Sequence, residues 1–190
     1  GRRRSNKRNW PATRWFAPKT VGRPSSCGES QAAPARADVR LAGDGKTDDT
    51  AGLEALIAAG GRIELPAGTY RISRTLVVDL DRVGPVAITG DATARIVMAG
   101  AGPAIQLVGT HGGTAAPHTV RDEVWQRQRT PQVDGIEIVG EHPQADGIQL
   151  TGAMQPTLTR LSVRRCRHGL HLTGRNRNVT IGECHLYDNS

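Results

Sequence analysis

Gly147-Ile-Gln-Leu-Thr-Gly152 returns 22 residues later as Gly169-Leu-His-Leu-Thr-Gly174, and Ala104-Ile-Gln-Leu-Val-Gly109 is an earlier variant. In each copy apolar and polar residues alternate and a glycine closes the segment, as in a half-buried strand that ends in a turn. Val163-Arg-Arg-Cys166 returns in the same way after 18 residues as Ile181-Gly-Glu-Cys184. A drifting repeat of about 20 residues, with two or three strands per unit, marks a solenoid. Each unit would lay its strands parallel to those of the unit before, about 4.8 Å away. Ile148, Leu150, Leu170 and Leu172 would then stack as aliphatic columns, which explains a core with only 3% aromatic residues in the chain.

The flanking sequence fits this reading. Short alternating runs at 62–65, 69–72, 75–78, 86–89, 95–98, 104–108, 135–139, 147–151, 161–163, 169–173 and 179–181 end at Gly, Asn, Asp or Pro. Many short strands with turn signals predict an all-β fold. One helix precedes them, over 50–59, with Leu53, Leu56 and Ile57 on one stripe. Thr47 or Asp48 is the expected cap, with two acids in the first turn, and Gly60-Gly61 is the stop. Segment 110–132 interrupts the repeat as a long insert. Loops of that length are functional or disordered as a rule.

The chain has 190 residues and a formal net charge of +7, a length that suggests one domain. The charge sits at one end. Residues 1–36 carry nine Lys or Arg, one acid and four prolines. Such a stretch cannot bury enough surface to offset its ordering entropy, so a disordered basic tail is expected over 1–36 and the β domain over 37–190. A basic arm can touch nucleic acid or anionic lipid, but a leader or upstream stretch without further role is the favoured reading, and no nucleic-acid partner is expected. No apolar run reaches the roughly 18 residues of a membrane span. Three cysteines cannot staple a disulfide scaffold. The tail lacks the apolar core of a secretory signal.

Gly43-Asp-Gly-Lys-Thr-Asp-Asp-Thr50, a short helix, and then Ile63-Glu-Leu-Pro-Ala-Gly-Thr-Tyr-Arg-Ile72 resemble the start of the pectate-lyase superfamily. Polygalacturonases, rhamnogalacturonases, uronate epimerases and phage tailspikes are among its members. The resemblance covers roughly residues 37–190. It implies a right-handed parallel β-helix whose N-terminal α-helix caps the open end of the coil. It also implies a polysaccharide partner and an extracellular or cell-surface setting. A solenoid needs a cap at each end, and residues 184–190 stop within a unit. The expectation is the N-terminal part of a longer protein, or a partner that covers this end.

Glycoside hydrolysis needs two carboxyl groups flanking the scissile bond. Gln144-Ala-Asp146-Gly-Ile148 resembles the first acidic coil of polygalacturonases, but the place 22 residues on is Arg167-His168-Gly169 rather than an acid pair. Asp146 and His168 are the candidate catalytic residues, and an Asp-Gly turn before a strand explains Asp146 without chemistry. A lyase or epimerase needs a cation to neutralise the uronate carboxylate and a base for the C5 proton. The cluster 164–168 supplies cations, with Arg165 and His171 as candidate substrate contacts. Trp125 in the insert is a candidate for stacking on a sugar face. Asp134, Asp146 and Asp188 would be the oxygens of a Ca²⁺ site, though they form no compact cluster in sequence. His111, His118 and His142 lack zinc spacing, so no metal site is expected. Cys166 and Cys184 are expected on successive coils as free thiols. Two functions fit: an enzyme on acidic polysaccharide in its full-length form, or a non-catalytic carbohydrate-binding or structural module.

Overall fold

A computed structural model describes residues 39–114 and 116–190. The expected tail over 1–36 lies outside the described residues. Thirteen strands and two α-helices follow one another as β1 (Asp44–Asp48), α1 (Thr50–Ala58), β2 (Gly61–Glu64), β3 (Gly68–Ile72), β4 (Leu76–Asp79), α2 (Leu80–Val83), β5 (Val86–Met98) and β6 (Gly102–Val108). After the insert come β7 (Gln132–Gly140), β8 (Ala145–Thr151), β9 (Thr157–Thr159), β10 (Ser162–Arg164), β11 (Leu170–Thr173), β12 (Thr180–Gly182) and β13 (His185–Tyr187). Among the described residues these strands make two sheets, of nine and four strands, and neither sheet closes. Every pairing is parallel, so the all-β expectation holds in its coarse form.

Register turns the sequence repeat into columns. In the second sheet Val78, Leu107, Leu150 and Leu172 are successive partners, as are Leu76, Ile105, Ile148 and Leu170. In the first sheet Ile63, Ile88, Val133, Leu158 and Ile181 form one column. Tyr70, Ile96, Ile138, Val163 and Leu186 form another. Their inner members are buried together in one core. The last members, Leu172, Ile181 and Leu186, are each 46% exposed because no strand lies beyond them among the described residues.

The 18-residue repeat is not a register. Val163 pairs with Leu186, and Ile181 with Leu158. Two similar segments therefore belong to different columns, β10 and β12, and Cys166 and Cys184 are free thiols that do not stack in register. The expected strands at 86–89 and 95–98 are one strand, β5, kinked where the register shifts between Thr89 and Ala94. Asp91 and Ala92 take positive φ there. β1, β9, β13 and α2 have no counterpart in the sequence reading, since three to five residues hold too little periodicity to register.

The helix α1 forms where expected, but its cap differs. Asp49 is the N-cap and makes no side-chain cap bond, and no acid lies in the first turn. Its carboxylate turns back to accept the N–H groups of Ala42 and Gly43 at 2.6 and 3.0 Å. Asp48 instead accepts the Thr50 N–H at 2.9 Å and the Ser73 hydroxyl at 2.6 Å. Leu53 and Ile57 join the core against β4, the edge strand of the second sheet.

The insert is anchored rather than loose. It carries a 3-10 turn at Pro117–Thr119 and a π-helical turn at Val124–Gln128. Val120, Val124 and Met154 form a separate small apolar cluster. Buried Gln128 donates to Asp81 at 2.8 Å and accepts the Thr110 N–H at 2.8 Å, which ties the insert to α2 and to the end of β6.

Candidate functional site

Asp146 enters β8 through its second residue, and the offset of 22 that pairs Ile148 with Leu170 puts His168 directly over it. The side chain is 5% exposed and saturated with donors. Arg167 grips it in bidentate fashion, Nε to Oδ1 at 3.0 Å and Nη2 to Oδ2 at 2.7 Å. The His168 N–H donates to Oδ1 at 3.1 Å, and the ring Nδ1 lies 2.9 Å from the same atom. Burial alone would raise the Asp146 pKa, but the Arg167 and His168 contacts outweigh it and hold the carboxyl below its ordinary value. Asp146 is therefore an ionised acceptor. Toward that acceptor the His168 Nδ1 acts as the donor.

His171 lies on β11 in register with Gln149, and its ring stacks on that of His168 with centroids 4.8 Å apart. Asp146, His168 and His171 bring three ligand-type atoms within 4.8 Å of one another, the one such group among the described residues. One carboxylate and two imidazoles suit a transition metal over Ca²⁺. Any ion bound by Asp146 would have to displace Arg167. The three aspartates considered for Ca²⁺ are not brought together. Asp134 is instead locked by Arg160 and by the Thr159 hydroxyl at 2.7 Å.

Two sequence-level candidates lie apart from this group. Arg165 occupies the corner after β10 at φ 58°, with its N–H on the Asp188 carbonyl at 3.1 Å. The guanidinium on Asp146 belongs to Arg167, not Arg165. Trp125 packs on the cluster of Val120, Val124 and Met154, and the Arg129 guanidinium lies 6.0 Å from its ring centroid. Met154 follows the far end of β8, so Trp125 is roughly 20 Å along the strand from Asp146.

Between these two ends runs the outer face of the second sheet. Val77, Gln106, Gln149 and His171 form its outward column. Gln149 donates to the Thr173 hydroxyl at 3.2 Å, and Thr151 and Thr173 share a hydroxyl contact at 2.6 Å. On the first sheet, Glu137 bridges Arg95 and Arg164 at 2.5 and 2.8 Å. Burial works to raise the Glu137 pKa, and the two guanidinium groups outweigh it and lower it.

No protein-family profile matches the chain, and no curated protein matches it. Among solved structures it is similar to ORF18 of Geobacillus virus E2, with a TM-score of 0.60 at 16% identity over 80% of this chain and 36% of that one. The chain thus spans about a third of that protein's length. At this identity the likeness bears on the fold alone. A Parabacteroides merdae protein, provisionally described as a glycosyl hydrolase, aligns with 80% of this chain and 95% of its own at 15% identity. Its TM-score of 0.26 is too low to carry an argument.

Proposed function

We propose that the described residues form a right-handed parallel β-helix of pectate-lyase type that binds an acidic polysaccharide without cleaving it. One observation carries the non-catalytic part: both oxygens of Asp146 are spent on Arg167 and His168. A carboxylate held ionised in this way is a poor general acid, and among the described residues no second acid joins its group as glycoside hydrolysis requires. The glycan reading is supported by the resemblance of residues 43–72 to that superfamily. It is supported too by the straight outer face of the second sheet, where the same side-chain positions recur strand after strand at about 4.8 Å. A linear polymer can follow such a face, with Gln106, Gln149 and His171 as hydrogen-bonding groups and Arg167 at its edge. An extracellular or cell-surface setting belongs to this reading.

The test is a glycan panel of acidic and neutral oligosaccharides, read for binding and for turnover in parallel. Binding of acidic members, with no ultraviolet absorbance from unsaturated uronates and no new reducing ends, is the expected result. Release of either product by this chain overturns the non-catalytic reading. Absence of binding across the panel overturns the glycan reading.

A further inference from the structure

At the edge of the second sheet away from Asp146, three of the four strands end at a glycine. Gly109, Gly152 and Gly174 follow β6, β8 and β11. A Cβ on Gly109 would lie 2.3 Å from the Gly152 carbonyl oxygen, so neighbouring backbones meet closely at this corner. The chain leaving β6 is held there by the His111 N–H, which donates to the Gly152 carbonyl at 3.0 Å.

The His111 side chain is 5% exposed, and its Nδ1 has no hydrogen-bond partner. Folded proteins seldom leave a buried polar atom unbonded. Burial lowers the pKa of this ring, and the charges of Arg177 and Arg175 lower it further. The imidazole is therefore neutral at neutral pH and able to donate one N–H.

Two cavities, of about 370 and 260 Å³, share His111 and Gly113 as a common wall. Arg121 stands in the first, Arg175 and Arg177 in the second, and among the described residues no acidic side chain lines either. Arg121 is turned to the Thr110 hydroxyl at 2.7 Å. Arg177 reaches only the Thr114 carbonyl, at 3.4 Å. Arg175 has no hydrogen bond or ion pair among the described residues. Asn176, between them, is committed to backbone: it accepts the Ala153 N–H at 2.9 Å and donates to the Leu150 and Thr173 carbonyls. Among the described residues these two guanidinium groups have no counter-ion, and both line a cavity walled by an unsatisfied imidazole. That arrangement repels metal cations and favours an oxyanion that can take bidentate Arg contacts.

We propose that His111, Arg175 and Arg177 bind an oxyanion carried by a sugar, either a uronate carboxylate or a sulfate ester. The inference rests on the polysaccharide reading above and gives it an anionic subsite on the edge opposite Asp146.

The imidazole resonances of His111 report directly on the cavity by NMR. The wild-type chain is titrated with trigalacturonate, a sulfated galactose oligomer, neutral galactotriose and inorganic sulfate. Arg175→Gln/Arg177→Gln is compared with Lys46→Gln/Arg127→Gln, which removes equal charge outside both cavities. Either charged oligomer is expected to move the His111 signals, and the neutral trimer to leave them still. The first double variant should weaken charged-oligomer binding by about tenfold or more, and the second should leave it nearly unchanged. Oligomer binding that leaves His111 still and is equal in both variants overturns this subsite while the polysaccharide reading stands. Movement with inorganic sulfate but with no oligomer shows an anion pocket and overturns its assignment to a sugar. No response to any probe overturns both.

Discussion

Asp146 shows how a residue singled out for chemistry can be explained by its bonds. It accepts from Arg167 twice and from His168 twice while nearly buried. Removing the carboxylate in Asp146→Ala should lower stability by about 2 kcal/mol, since it abolishes charge-assisted hydrogen bonds at a buried site. Urea denaturation checks this, and a midpoint equal to wild type would show that the contacts carry no stability. Acid should act in good part through Asp48, beside the other lowered carboxyls such as Asp146 and Glu137. Hydrogen bonds from the hydroxyls of Ser73 and then Thr50 hold the Asp48 carboxyl at about 2, against an ordinary value of 3.8. A depressed folded pKa gives stability that is complete above the unfolded value and is lost as pH falls through the folded one. Denaturation midpoints measured downward from about pH 6 should therefore drop between about pH 4 and 2, and Asp48→Asn should flatten that drop. Cys166 belongs here as well. Burial pushes its thiol up to about 11, so a thiol reagent at neutral pH should label Cys184 well before Cys166.

At the scale of elements, the 22-residue offset is the register itself, as Leu150 against Leu172 shows. The same offset sets His168 over Asp146. The sequence thus already held the contact between these residues, although at that spacing Arg167-His168 stands where an acid pair would mark a hydrolase. The 18-residue likeness misled because a Val-Arg-Arg-Cys pattern is too short to tell one column from its neighbour. His111 was legible only as an isolated histidine. Its burial depends on the close approach of Gly109 and Gly152, a contact between turns that no local pattern encodes. Gly109→Ala would place a methyl group 2.3 Å from the Gly152 oxygen. It should cost about 1–3 kcal/mol by thermal or chemical unfolding, the range for overpacking. A neutral result would mean that the corner can open.

For the molecule as a whole, stability resides in the columns, and their members are not equal. Leu150 is fully buried between Leu107 and Leu172, whereas Leu172 is 46% exposed at the last position. Leu150→Ala should lose about 2–5 kcal/mol. Leu172→Ala should lose about 1 kcal/mol or less, because much of its side chain already meets water. Equal losses in denaturant titrations would contradict the columnar account. The insert shows where this architecture accommodates extra chain. Ile88 and Val133 are direct partners across it, as Val133 and Leu158 are without one, and the strands on both sides keep their pairing. Extra chain confined to a corner preserves every in-facing side chain. A single-residue deletion inside a strand turns the rest of that strand inside out. Gene variants of this chain should therefore tolerate large indels at the corners more readily than one-codon slips between them.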